Sequence, residues 1–175
     1  MQRENVQSCL PVSGAIDHRT SFAKSLSSDR RRRLDRSGRH CRCMRHIPRR
    51  GELIAAGLRK QLESLADGLA PWPLYLYGPT GTGKTCAALW LLDQVPDSAY
   101  VTTDELADTV FEREGFWWLQ AAKYQLLVVD EVGLLAGYAE REYLALKRMA
   151  DLRDYRPTVW ISNLSPAELR EQFDD

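Results

Sequence analysis

A chain of 175 residues with 44% hydrophobic and 27% charged side chains has enough apolar material for one cored domain and is neither a fibrous nor a low-complexity sequence. Its longest apolar runs, such as Leu126–Val129, fall far short of the roughly 20 residues that a membrane span needs, and no signal-type apolar stretch opens it, so a cytoplasmic protein without membrane contact is expected. The formal charge of +0 conceals a division: residues 1–50 hold thirteen Lys and Arg against four Asp and Glu, a net +9, while the other 125 hold eleven against twenty, a net −9.

Residues 1–50 are a basic arm rich in Ser and Arg, densest at Arg30-Arg31-Arg32-Arg33. Lacking a sustained apolar period, such an arm cannot bury enough surface to offset its ordering entropy, and mostly disordered chain is expected. His40, Cys41, Cys43 and His46 are zinc-ligand types. Their Cys-x-Cys spacing is tighter than the usual gap of about two to four residues, and Cys9 is remote, so a solvated arm is the default reading. The arginines could equally meet nucleic-acid phosphates or serve only solubility. Nothing directs the cysteines to a disulfide framework, and Cys86 is expected to be a small buried side chain.

From Gly51 the pattern changes, and 51–175 is taken as one domain. Leu53, Ile54, Leu58, Leu62, Leu65 and Leu69 recur as on one face of a helix, which Pro71 and Pro73 should break. Strands and helices then alternate. Leu74–Tyr77 is a strand, Gly83–Gln94 a helix, Ala99–Thr102 a strand. Asp104–Glu114 and Phe116–Lys123 are helical, with a break at Gly115. Leu126–Val129 is a strand, Glu140–Arg153 a helix, Thr158–Ser162 a strand. Ser165, Pro166 and Glu168 then open a last helix with a capping box. Short strands apolar on both faces and separated by helices imply a parallel sheet covered on both sides, a three-layer α/β architecture. Ligands in such sheets bind at the carboxyl ends of the strands.

Two constellations carry chemistry. Gly78-Pro79-Thr80-Gly81-Thr82-Gly83-Lys84-Thr85 has the spacing G-x-x-x-x-G-K-[ST] between a strand and a helix, the context that marks a phosphate-binding loop. Its backbone N–H groups would face phosphate oxygens, Lys84 would reach the β- and γ-phosphates, and the Thr85 hydroxyl would ligate Mg²⁺ beside ATP. Farther on, Leu126–Val129 delivers Asp130 and Glu131 to a strand's carboxyl end. Asp130 is suited to hold Mg²⁺ directly or through water, and Glu131 to polarise an attacking water as a general base. Asn163, after the last strand, reads as a turn residue or as a group orienting that water. Phe116, Trp117, Trp118 and Tyr124 sit at helical spacing, which favours packing over stacking on single-stranded bases.

The order of these parts resembles the AAA+ ATPases of the helicase-loader and transposition-ATPase group, the family of bacterial DnaC and IstB. The likeness runs from about Ile47 to the end: Ile47-Pro48-Arg49-Arg50 ahead of the core, the glycine loop as Walker A, Tyr100–Leu106 as the second strand and its helix, Leu127–Gly133 as Walker B, and Arg156–Ser165 as the sensor-1 strand. Ser162-Asn163-Leu164-Ser165-Pro166 is its more discriminating piece. The resemblance implies an AAA+ core, makes Asn163 the sensor-1 residue, and implies a homo-oligomer with ATP at subunit interfaces. It further implies work on single-stranded DNA with a replicative helicase. A transposition ATPase on duplex DNA, a nucleotide-binding module with little turnover, and a P-loop kinase of small molecules are the competing expectations. A family member would continue beyond Phe173-Asp174-Asp175 to an arginine finger, a fifth strand and a second sensor. A core truncated at that point would leave an edge on its central strand unpaired.

Overall fold

The structure is a computed structural model that describes residues 7–9, 47–109, 120–134 and 139–173. Most of the basic arm, including Arg30–Arg33, His40, Cys41, Cys43 and His46, lies outside the described residues. So do Phe116, Trp117, Trp118 and the break expected at Gly115.

The chain-order elements are β1 (Gln7–Cys9), a 3₁₀ turn (Gly51–Leu53), α1 (Ala56–Ala66), β2 (Leu74–Tyr77), α2 (Lys84–Leu92), β3 (Ser98–Thr102), α3 (Thr103–Thr109), β4 (Leu126–Val132), α4 (Ala139–Leu152), β5 (Thr158–Ser162) and α5 (Pro166–Phe173). They form one sheet in the order β1-β2-β5-β4-β3. β2, β5, β4 and β3 run parallel, which requires the helical crossovers that the alternating pattern announced. β2 would stand at the edge of this parallel set, but β1 pairs antiparallel with its Tyr75, Leu76 and Tyr77. A row of free N–H and C=O groups on an edge strand is a template for this kind of addition.

β4 shows why there are three layers. Leu126 and Val128 pack with Leu58, Leu62 and Leu65 of α1 and with Ala87 and Leu91 of α2. Leu127 and Val129 pack with Leu106 of α3 and with Ala145 and Met149 of α4. All four are fully buried, so alternate residues of one strand supply two cores.

The expected first helix is shorter than its leucine pattern. It stops at Ala66 because Gly68, at φ 71°, turns the chain so that its N–H reaches Leu65 O and the Leu69 N–H reaches Ser64 O, 3.0 and 2.8 Å. Paired bonds around a left-handed glycine close helix ends. Leu69 therefore lies past the helix and is 77% exposed, while Leu53 sits in the 3₁₀ turn ahead of it and is 62% exposed, so neither is part of its buried face. At the other extreme, the capping box expected at the last helix is present: Ser165 N–H donates to Glu168 Oε2 at 2.7 Å, and Glu168 N–H to Ser165 Oγ at 3.3 Å. Thr102 and Glu105 make the same reciprocal pair, 3.0 and 3.3 Å, at the start of α3.

At the amino end of the sheet Arg153 is buried. Its guanidinium donates to Thr158 Oγ1, Ala121 O, Tyr124 O and Pro157 O at 2.5 to 3.0 Å. Burial, with the nearby Arg156 charge adding to it, pulls its pKa down to about 10. Among the described residues no helix is long and apolar enough to cross a membrane.

Candidate functional site

At the carboxyl end of the sheet, β2 ends at Tyr77 and the chain turns through Gly78–Gly83 into α2. Gly83, at the N-cap of α2, has φ 89° and no side-chain cap. A residue with a Cβ is disfavoured in that left-handed region. The first N–H groups of α2 are thus left without a capping oxygen, the arrangement that receives an anion at a helix N-terminus. Thr82 Oγ1 donates to Pro79 O at 2.9 Å and closes the loop on itself, while Thr80 and Gly81 stand exposed at its tip.

Lys84 leaves little surface exposed, yet its ammonium has only neutral acceptors: Gly78 O at 2.7 Å, Pro79 O at 2.9 Å and Asn163 Oδ1 at 3.0 Å. Burial lowers its pKa, and the Asp130 charge works against that. A desolvated cation held by three neutral oxygens inside a loop of amides is poised for a negative ligand.

Asn163 comes to this point because β5 lies directly beside β2 and its exit turn is pinned. Ser162 Oγ donates to Val132 O at 2.6 Å and accepts the Leu164 N–H at 3.0 Å. The Tyr75 hydroxyl holds Leu164 O at 2.8 Å. The sequence placed Asn163 between a turn residue and a chemical group; in the structure its side chain meets Lys84.

Asp130 sits one strand farther on, 6% exposed. Its Oδ2 accepts the Thr85 hydroxyl and the Tyr100 hydroxyl, each at 2.8 Å, and its Oδ1 accepts the Glu131 N–H at 2.7 Å. The Thr103 hydroxyl holds the Asp130 carbonyl at 3.0 Å. β4 runs past the expected end at Val129 to Val132, with an irregular register against β5 between Val129 and Val132. Glu131 occupies that irregularity at φ 64°, a costly conformation for a residue with a Cβ, and its side chain is exposed. Although the residue keeps much of its surface, partial desolvation of the carboxyl raises its pKa, and the charges of Asp130, Asp104 and Glu105 push the same way, in the direction that makes a carboxylate a better base near neutral pH. The turn that follows is clamped from below: Glu142, fully buried in α4, accepts the Gly133 N–H at 2.5 Å.

Thr85 and Asp130 offer hard oxygen donors side by side. A hydroxyl and one carboxylate suit Mg²⁺, which takes few protein ligands and completes its shell with phosphate and water. Among the described residues no cluster of three or more His, Cys, Asp and Glu is arranged to hold a metal by itself. Cys86, next to Thr85, is only partly buried, contrary to expectation. Its thiol donates to Pro48 O at 2.7 Å, and Arg49 bonds Asp93 at 2.8 Å, so residues 48–49 lie along α2.

Tyr100, Thr103 and Glu142 were not among the expected site residues. The burial of Glu142, Ala145 and Met149 at spacings of three and four is the one local signal that could have marked Glu142 as inward-facing.

No known protein-family pattern matches the chain, and no curated protein sequence matches it. Among solved structures it is similar to AMPPCP-bound DnaA from Aquifex aeolicus, with a TM-score of 0.55 and 17% identity over 69% of this chain and 45% of that one. The chain thus spans less than half of that structure. At this identity the likeness is one of fold: a three-layer α/β P-loop nucleoside triphosphatase architecture.

Proposed function

We propose that the chain is an AAA+ protein that binds ATP with Mg²⁺ and hydrolyses it to ADP and phosphate, in the service of DNA replication as a helicase loader of the DnaC type. The observation that carries the nucleotide part is the contact of Lys84 with Asn163. It joins the phosphate loop to the end of the neighbouring strand, where a polar group can sense a terminal phosphate. In this reading the α2 N-terminus and Lys84 bind the phosphates, Thr85 and Asp130 hold the cation, and Asn163 and Glu131 orient and deprotonate water. Bound Mg²⁺ would supply charge neutralisation on the phosphate oxygens. The replicative helicase, single-stranded DNA and assembly into a homo-oligomer come with the family resemblance.

Calorimetry with ATP and Mg²⁺ tests the first part. Lys84→Ala should weaken binding by about a hundredfold, roughly 2.7 kcal/mol; unchanged affinity would refute the nucleotide site. Titration with single-stranded and duplex DNA tests the second. Preference for the single strand supports loading, and preference for duplex supports the transposition reading of the same fold.

A further inference from the structure

The Asp130 carboxylate is held by more than the metal-binding loop requires. Thr85 is one hydroxyl donor to Oδ2; the other, at the same 2.8 Å, comes from Tyr100 on β3. The register explains the reach. Thr102 pairs with Asp130 and Tyr100 pairs with Val128, so Tyr100 is the diagonal neighbour two residues below Asp130. Diagonal partners across strands are about 7–8 Å apart, within range of a long aromatic side chain. The Tyr100 ring packs against the core beneath α1 and α2, which fixes where its hydroxyl points. The third donor, the Glu131 N–H, holds Oδ1.

We propose that Tyr100 is a positioning residue for the divalent cation, acting through Asp130. Two hydroxyls on Oδ2 and an amide on Oδ1 lock the carboxylate plane. With Thr85 offering a lone pair to a cation, its hydroxyl would still donate to Oδ2, and the Tyr100 bond would keep that oxygen from rotating away. With its lone pairs engaged by two hydroxyls, Oδ2 would be a poor direct ligand. Donors of this outer kind commonly alter metal affinity by about ten- to a hundredfold. The inference rests on the nucleotide site proposed above.

The experiment uses the full chain with Tyr100→Phe, which removes one oxygen atom. Nucleotide affinity is measured by calorimetry with AMPPCP in chelator and again with Mg²⁺. The cation requirement is measured with Mn²⁺ by electron paramagnetic resonance at saturating nucleotide. The expected result is metal-free affinity unchanged and the Mn²⁺ concentration at half-saturation raised about tenfold. An unchanged Mn²⁺ requirement overturns the proposal. So does an equal loss of affinity with and without metal, which marks a merely structural tyrosine. If the phenylalanine variant does not fold, 3-fluorotyrosine placed at position 100 gives a fluorine resonance. It should shift when metal is added to the nucleotide complex, and its constancy overturns the proposal. Lys84→Ala runs in parallel: if that variant still binds nucleotide in chelator, it is the underlying site that fails.

Discussion

Lys84 and Arg153 both have little exposed surface, 6% and 3%, one at the carboxyl end of the sheet and the other at the amino end. Arg153 directs its planar fork at four oxygens from two segments of the chain, so its donors are bound to groups that cannot leave. Lys84 is a point charge on a flexible stem resting on two loop carbonyls and one amide, each of which a phosphate oxygen could replace. A rigid fork stands where the structure must be tied, and a compact mobile charge where a ligand must be met.

That contrast can be broken most sharply in the unfolding free energy. Arg153→Ala should cost about 3–5 kcal/mol, because several buried acceptors lose their donor at once. Lys84→Ala should stay within about 1 kcal/mol of the parent, because the carbonyls it leaves lie on a loop open to water. Denaturant titration of both variants without nucleotide checks this, and equal losses would erase the distinction between tying and waiting. In turnover the ranking reverses. Glu131→Gln should slow hydrolysis by about 10²–10⁴-fold while leaving ATP affinity intact, measured by phosphate release.

The same substitution has a pH signature in the metal-free protein. Because the folded pKa of Glu131 is raised above 4.5, what the group contributes to stability is present below that value and lost as pH rises through the folded pKa. Glu131→Gln should therefore raise the unfolding midpoint at neutral pH, with the advantage vanishing below about pH 4.5. A midpoint difference that does not change with pH would show that the charge is not what sets it, since glutamine keeps the same strained backbone at φ 64°. The smallest effect belongs to the helix cap: Ser165→Ala should destabilise by about 1 kcal/mol and leave nucleotide affinity unaltered, which a thermal melt and a binding titration together would show.

What could be read from the sequence was chemistry that acts over a few residues. The Ser165–Glu168 box is complete within four positions, and the glycine loop carries its own turn requirements between a strand and a helix. The order of layers followed from β4, whose consecutive apolar residues left no polar face. Missing were features whose partners come from elsewhere in the chain. Arg153 follows the last turn of α4 and looks like a solvated charge until β5 and residues 121–124 close around it. Tyr100 looks like one more strand aromatic, because its target, Asp130, is set by strand register. The extension of β4 to Val132 depends on a local irregularity that apolar patterning does not encode. Leu69 fits the helical spacing but lies past the left-handed turn at Gly68, and Leu53 fits it but sits in the 3₁₀ turn ahead of the helix.

Gly133 follows Glu131 by two residues at φ 82°, and a Cβ placed there would lie 2.8 Å from Leu164 Cδ1 and 3.0 Å from Leu169 Cδ1. Little more than a hydrogen fits between that bend and the tips of Leu164 and Leu169. A side chain larger than hydrogen at position 133 would have to push the tips of Leu164 and Leu169 aside and also hold a left-handed backbone at φ 82°, so this bend beside Glu131 is reserved for glycine.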